Sequence, residues 1–175
     1  MLFRGRQPAP SVWRRFRSGA DDFTFTRQGD HYEARVAANA ERAVDLLHAL
    51  ADHLPPAVDV VLEDVREGRV WTGVDVGLPD VREAIARLKV PLAVYGGVEL
   101  SVYTSEDQLT LTPDLELYVF ARTDRWLYIL QGKGLVETVT PAPEAWRLRP
   151  DELGPAPELT DALGATAERL GLGAQ

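Results

Sequence analysis

No cysteine occurs among the 175 residues, which excludes a disulfide framework, a zinc ribbon, an iron–sulfur site and a thiol nucleophile. Histidine is nearly as scarce. His48 and His53 stand five positions apart, not the four that would set two imidazoles on one helical face as zinc ligands, and no HExxH motif is present. The four serines, Ser11, Ser18, Ser101 and Ser105, include none in a GxSxG elbow. Gly132-Lys133-Gly134 is not a phosphate loop: Leu127 stands where the first glycine belongs, and no hydroxyl residue follows the lysine. A GxGxxG fingerprint is also missing, so no cofactor is expected. No apolar run reaches the roughly 18 residues of a membrane span, and no membrane partner is expected.

What the chain does contain is 45% hydrophobic and 26% charged residues, the balance of an ordinary soluble globular protein. A chain of this length buries roughly 70% of its unfolded surface without a covalent staple. Arg14-Arg15-Phe16 superficially resembles a twin-arginine signal. However, Ser18-Gly19-Ala20-Asp21-Asp22 stands where the apolar region of an export signal is required, and a cytoplasmic location is expected.

Charge is distributed unevenly. Residues 1–20 carry five arginines and no acid, and the other 155 residues hold 14 basic against 27 acidic groups, a net of −13. A basic arm thus precedes an acidic body. The division expected is an arm over 1–20, an α+β domain over 21–137, a Pro-rich linker or surface-docked tail over 138–157, and a C-terminal helix over 158–175.

Within the body, Phe23–Arg27 and His31–Val36 read as a hairpin around Gly29-Asp30. Asn39 starts a helix reaching about Leu54, with Ala43, Leu47, Leu50 and Leu54 at helical spacing and Pro55-Pro56 ending it. Val58–Val65 and Val70–Val76 flank Arg66-Glu67-Gly68 as a second hairpin, whose three-residue loop pairs Val58, Val60 and Leu62 with Val76, Val74 and Thr72. A helix over Pro79–Lys89 has its acids early and its bases late. Five strands then follow one another: Leu92–Tyr95, Val98–Thr104, Gln108–Leu111, Leu115–Ala121 and Trp126–Leu130, the last with a helical turn after Thr123 as its alternative. A helix near Leu159–Leu170 closes the chain. The fold expected is α+β, a largely antiparallel sheet in the order ββ-α-ββ-α-β-meander with helices packed on it.

Three groups of residues are candidates for function. The hairpin register sets Asp59 opposite Asp75, and two opposed carboxylates suit a metal ion or an acid–base pair; a solvated face beside an arginine, or a register one residue different, is the plainer account of them. Trp13-Arg14-Arg15-Phe16-Arg17 interleaves guanidinium groups and rings as single-strand nucleic-acid binders do, although the acidic body repels a polyanion and offers the arm a place to lie. In the meander, a tight Glu106-Asp107 turn sets Thr104 against Leu109 and Val102 against Leu111. Leu100, Val102, Leu109, Leu117 and Val119 then face the core, while Tyr103, Tyr118 and Phe120, with Trp126 in one register, face the other way. An aromatic outer face calls for a cover: the C-terminal helix, the Pro-rich tail, a protein partner or a second copy. These observations favour a non-enzymatic protein-interaction or scaffold module. Nucleic-acid binding through the arm and a metal-dependent enzyme around paired carboxylates are the alternatives.

Overall fold

The structure, a computed structural model, describes residues 21–140 and 153–175. Trp13, Arg14, Arg15, Phe16 and Arg17, and most of the Pro-rich stretch with Trp146, lie outside the described residues. Strands β1 (Asp22–Gln28) and β2 (His31–Ala37) form the first hairpin, turning on Gly29 at φ 64, the left-handed first position of a type II′ turn. Helix α1 (Ala40–Ala51) follows Asn39, whose carbonyl accepts the Ala43 N–H at 2.8 Å. Its buried face, Ala43, Val44, Leu47 and Leu50, has the 3.6-residue period that the sequence predicts.

Strands β3 (Ala57–Asp64) and β4 (Arg69–Gly77) make the second hairpin, and here the register departs from expectation. Val58 does pair with Val76, but a bulge follows, and Val60 meets Gly73 while Leu62 meets Trp71. Asp75 is left outside the ladder at φ 54, and its N–H donates to Asp59 Oδ1 at 3.0 Å. The loop is one residue longer than expected because Val65 and Arg66 are drawn away. The Val65 N–H donates to Gly97 O, and the Arg66 guanidinium donates to the Tyr95, Gly96 and Gly154 carbonyls.

Those carbonyls include the end of helix α2 (Leu78–Tyr95), which runs past Lys89 and through Pro91. The strand expected over Leu92–Tyr95 is therefore helical. Proline removes one helical hydrogen bond, but Val81, Ile85, Leu88 and Leu92 continue one buried stripe against α1, and that burial outweighs the loss. Gly96 and Gly97, at φ 55 and 72, stop the helix where Arg66 covers its carbonyls.

Strands β5 (Val98–Tyr103), β6 (Asp107–Leu111) and β7 (Leu117–Ala121) are consecutive neighbours. Val102 pairs with Leu109 rather than Leu111, since Thr104 to Asp107 form the turn, closed by the Thr104 N–H to Asp107 O bond. The shift is by two residues, so every side chain keeps its expected face. The fifth expected strand is helix α3 (Arg125–Gly132). A strand would bury Trp126, Tyr128 and Leu130 together, whereas Trp126 and Leu130 are fully buried and Tyr128 is 65% exposed, the signature of a helical turn.

Edge strand β8 (Val136–Glu137), helix α4 (Pro157–Arg169) and edge strand β9 (Gly173–Ala174) complete the described residues. The sheet order is β8-β1-β2-β7-β6-β5-β3-β4-β9, antiparallel throughout except for the parallel β1–β8 pair. The fold is thus α+β with a mostly antiparallel, mixed sheet. Helices α1 and α2 pack on each other and on the sheet, α3 is fixed to β6, and α4 buries Leu159, Leu163 and Ala167 beside α2 and β3. All four lie over the face that carries Phe23, Ala34, Val60, Leu62, Val102, Leu109 and Val119. None of them is long and apolar enough to cross a membrane.

Candidate interaction face

With the described helices on one side, the other side of the sheet can be read row by row. One row runs Thr24, Arg35, Tyr118, Thr110, Ser101, Val61, Thr72 across seven strands. A parallel row runs Glu33, Phe120, Gln108, Tyr103, Asp59. Two residues to the other side of the first row stand Asp22, Glu116, Glu99 and Glu63, which the pleat puts on the same face. Tyr103, Tyr118 and Phe120 share this face, each half-buried, and the Tyr118 and Phe120 rings stack at 6.1 Å.

The electrostatics of this face are one-sided. Among the described residues, six carboxylates (Asp22, Glu33, Asp59, Glu63, Glu99, Glu116) surround the aromatic centre, against the guanidinium of Arg35 within it and that of Arg122 at its rim beside Phe120. Arg35 is committed to Glu116 through two bonds, Nε to Oε2 at 3.0 Å and Nη2 to Oε1 at 2.6 Å. Glu63 and Glu99 stand directly opposite each other. Burial, and then the Glu63 charge, push the Glu99 carboxyl above its ordinary range. Burial and Glu116 likewise raise the Tyr118 phenol. At the centre, Ser101 and Thr110 share a 2.8 Å hydroxyl bond and are buried by their taller neighbours.

Trp126 does not belong to this face. It is fully buried on the helix side, where its Nε1–H donates to Asp107 Oδ1 at 2.7 Å and Arg125 donates to Oδ2 of the same carboxylate. The strand expected there would turn Trp126 outward in one of its two registers; the helix turns it inward. Nor does the C-terminal helix cover the aromatic face: α4 sits on the helix side, its Thr160 hydroxyl directed to the buried Asp64.

Asp59 and Asp75 are not paired across the ladder as the sequence suggests. The bulge separates them, and Asp59 instead accepts the Asp75 backbone N–H. Among the described residues, no group of three or more His, Asp or Glu side chains is placed to hold a metal ion. A depression of about 200 Å³ lies where the face meets the β1–β2 and β5–β6 turns, lined by Asp30, His31, Glu106, Gln108, Phe120 and Arg122. Asp30 there contacts His31 at 3.4 Å and accepts from Arg122 at 3.3 Å; the His31 contact first, and then the Arg122 charge, hold its carboxyl below the ordinary range. The signal for the acidic surround was present in the sequence as alternation, since Glu33/Arg35, Glu99/Ser101 and Glu116/Tyr118 alternate with buried residues. Only the strand order brings them together. No family model, curated protein or solved structure matches this chain.

Proposed function

We propose that the chain is a non-enzymatic protein-interaction module that docks a cationic, aromatic-bearing segment of a partner protein on the open sheet face. One observation carries this reading: among the described residues, an aromatic centre of Tyr103, Tyr118 and Phe120 is ringed by six carboxylates, while the two guanidinium groups of the face, Arg35 and Arg122, are already paired with Glu116 and Asp30. Rings offer contact area at little entropic cost, and the acids select positive charge. A second copy presenting the same surface would bring like charges together, and a nucleic acid would be repelled by it. The size of the face points the same way. Six strand spacings by four residue steps cover about 30 by 14 Å, or about 400 Å², half of what a folded partner usually buries and enough for one extended segment.

The test uses the full chain and a short synthetic peptide of repeated Arg-Trp-Arg-Ser, with Glu-Trp-Glu-Ser and Arg-Ser peptides as controls. Amide shifts on titration are expected at Ser101, Thr110, Tyr118 and Phe120. The affinity should fall about tenfold or more in the Glu63→Lys/Glu99→Lys double variant. Shifts confined to the helix side, or equal response to the acidic peptide, would refute the reading.

A further inference from the structure

We propose that the docked segment lies across the strands, in a trough over Thr110, Ser101 and Val61, with its cationic side chains all turned to Glu99 and Glu63 and its aromatic ones to Tyr103. This rests on the reading above and gives the partner a sequence pattern, cations at every second position with rings between them.

The relief of the face is the first argument. Thr110, Ser101 and Val61 are consecutive in one row across β6, β5 and β3, and all three side chains are short. Ser101 and Thr110 point to the open side yet are only 4% and 7% exposed, because taller side chains stand over them. Glu99 and Glu63 form one flank, and Gln108, Tyr103 and Asp59 the other. Glu99 and Tyr103 are both on β5, with a separation of about 13 Å that gives room for one extended chain. Tyr118 follows Thr110 in the row and ends the trough, while Thr72 follows Val61 at its open end. Three strand spacings make the floor about 14 Å long, enough for about four residues.

The flanks differ in chemistry. Among the described residues neither Glu63 nor Glu99 is in an ion pair, and each faces the other. The two guanidinium groups of the face lie outside the trough, Arg35 beyond Tyr118 on Glu116 and Arg122 beyond Phe120 on Asp30. An extended chain sends successive side chains to opposite sides, those on one side about 7 Å apart. Two arginines so spaced meet two carboxylates on adjacent strands, about 5 Å apart, within the play of their long side chains.

The floor adds a donor. A chain whose side chains point left and right has its carbonyls pointing up and down. Ser101 and Thr110 share one 2.8 Å bond, and Thr110 also accepts from the Gln108 amide. Two hydroxyls hold two hydrogens, and their mutual bond uses one. Among the described residues the second has no acceptor, and a downward carbonyl of the segment supplies it.

Two peptides of one composition test the proposal on the full chain. Repeated Arg-Trp-Arg-Ser puts every arginine on one side, whereas repeated Arg-Arg-Trp-Ser puts arginines on both. The first should bind about tenfold more tightly. Its affinity should fall about tenfold in Val61→Trp, which fills the trough, and hold in Thr24→Trp, on the same row beyond Arg35. Equal affinities for the two peptides, with amide shifts still on the sheet face, overturn the proposal and leave the proposed function standing. So does undiminished binding by a folded Val61→Trp variant. The peptide comparison needs no variant and decides the matter even where Val61→Trp does not fold. Binding of neither peptide defeats the proposed function and this proposal with it.

Discussion

Replacing Trp126 with phenylalanine is the sharpest test of how the sheet's two faces are divided. The indole is fully buried, and its Nε1–H makes a 2.7 Å bond to Asp107, a carboxylate only 8% exposed. A hydrogen bond to a charged acceptor in such a site contributes about 1.5–3 kcal/mol. The smaller ring gives up about 40 Å² of buried surface, or about 1 kcal/mol more. The Arg125 ion pair persists in the variant and, with Arg125 largely in solvent, adds little either way. The sum is a loss of about 2.5–4 kcal/mol, which for a chain of this size lowers Tm by about 5–16 °C. Equilibrium urea unfolding followed by circular dichroism checks it, with the m-value unchanged. The same substitution made in an Asp107→Asn background should cost about 1 kcal/mol less, because a neutral amide oxygen is the weaker acceptor. A wild-type-like Trp126→Phe variant, within about 0.5 kcal/mol, would refute the buried placement of α3 and return Trp126 to the surface where strand periodicity puts it.

Gly97→Ala should destabilise by about 1–3 kcal/mol in urea unfolding, since φ is 72 and a Cβ would stand 2.5 Å from the Arg66 guanidinium. Glu99→Gln should stabilise by about 0.5 kcal/mol at pH 7, after solvent screening, by removing a half-buried charge and its repulsion from Glu63. Because the folded-state pKa of Glu99 is raised, the wild type recovers that stability as pH falls through it, and the two proteins should melt alike below pH 4.5. His53 has its pKa lowered, by burial first and then by Lys133. The stability of its neutral form is therefore held above pH 6.5 and lost as pH falls through the folded value, and His53→Asn should flatten the acid limb of a Tm–pH profile. At the bulge, Asp75→Val should cost about 1–2 kcal/mol in the same unfolding assay while Asp75→Gly is tolerated, because the position sits at φ 54.

Local chemistry made much of the fold legible. Gly29-Asp30 between alternating strands and the Ala43–Leu50 stripe each depend on residues within a few positions of one another, and each forms where the pattern says. The faces of β5, β6 and β7 were legible for the same reason, since alternation survives a two-residue slip of register. Leu92–Tyr95 and Trp126–Leu130 were misjudged because short apolar runs suit a strand and a buried helical turn equally. What decides them is distant: α1 offers Leu92 a partner, and Asp107 offers the Trp126 N–H an acceptor. The bulge was hidden because it depends on Asp59 reaching the Asp75 amide across the hairpin.

The sequence by itself determined that this chain has no thiol chemistry, no membrane-length apolar run, a basic beginning and an acidic body, because these are properties of composition and order. It also determined which residues of a strand share a face, because the side-chain period of two is set by the backbone. Only the tertiary structure decided that β2 lies beside β7 and β5 beside β3, pairings of residues far apart in the chain. Those two junctions gather Glu33, Asp59, Glu63, Glu99 and Glu116 around Tyr118 and Phe120. The physical reason is that charge and ring interactions act through space at a few ångströms, and no spacing along the chain encodes which strands will be neighbours.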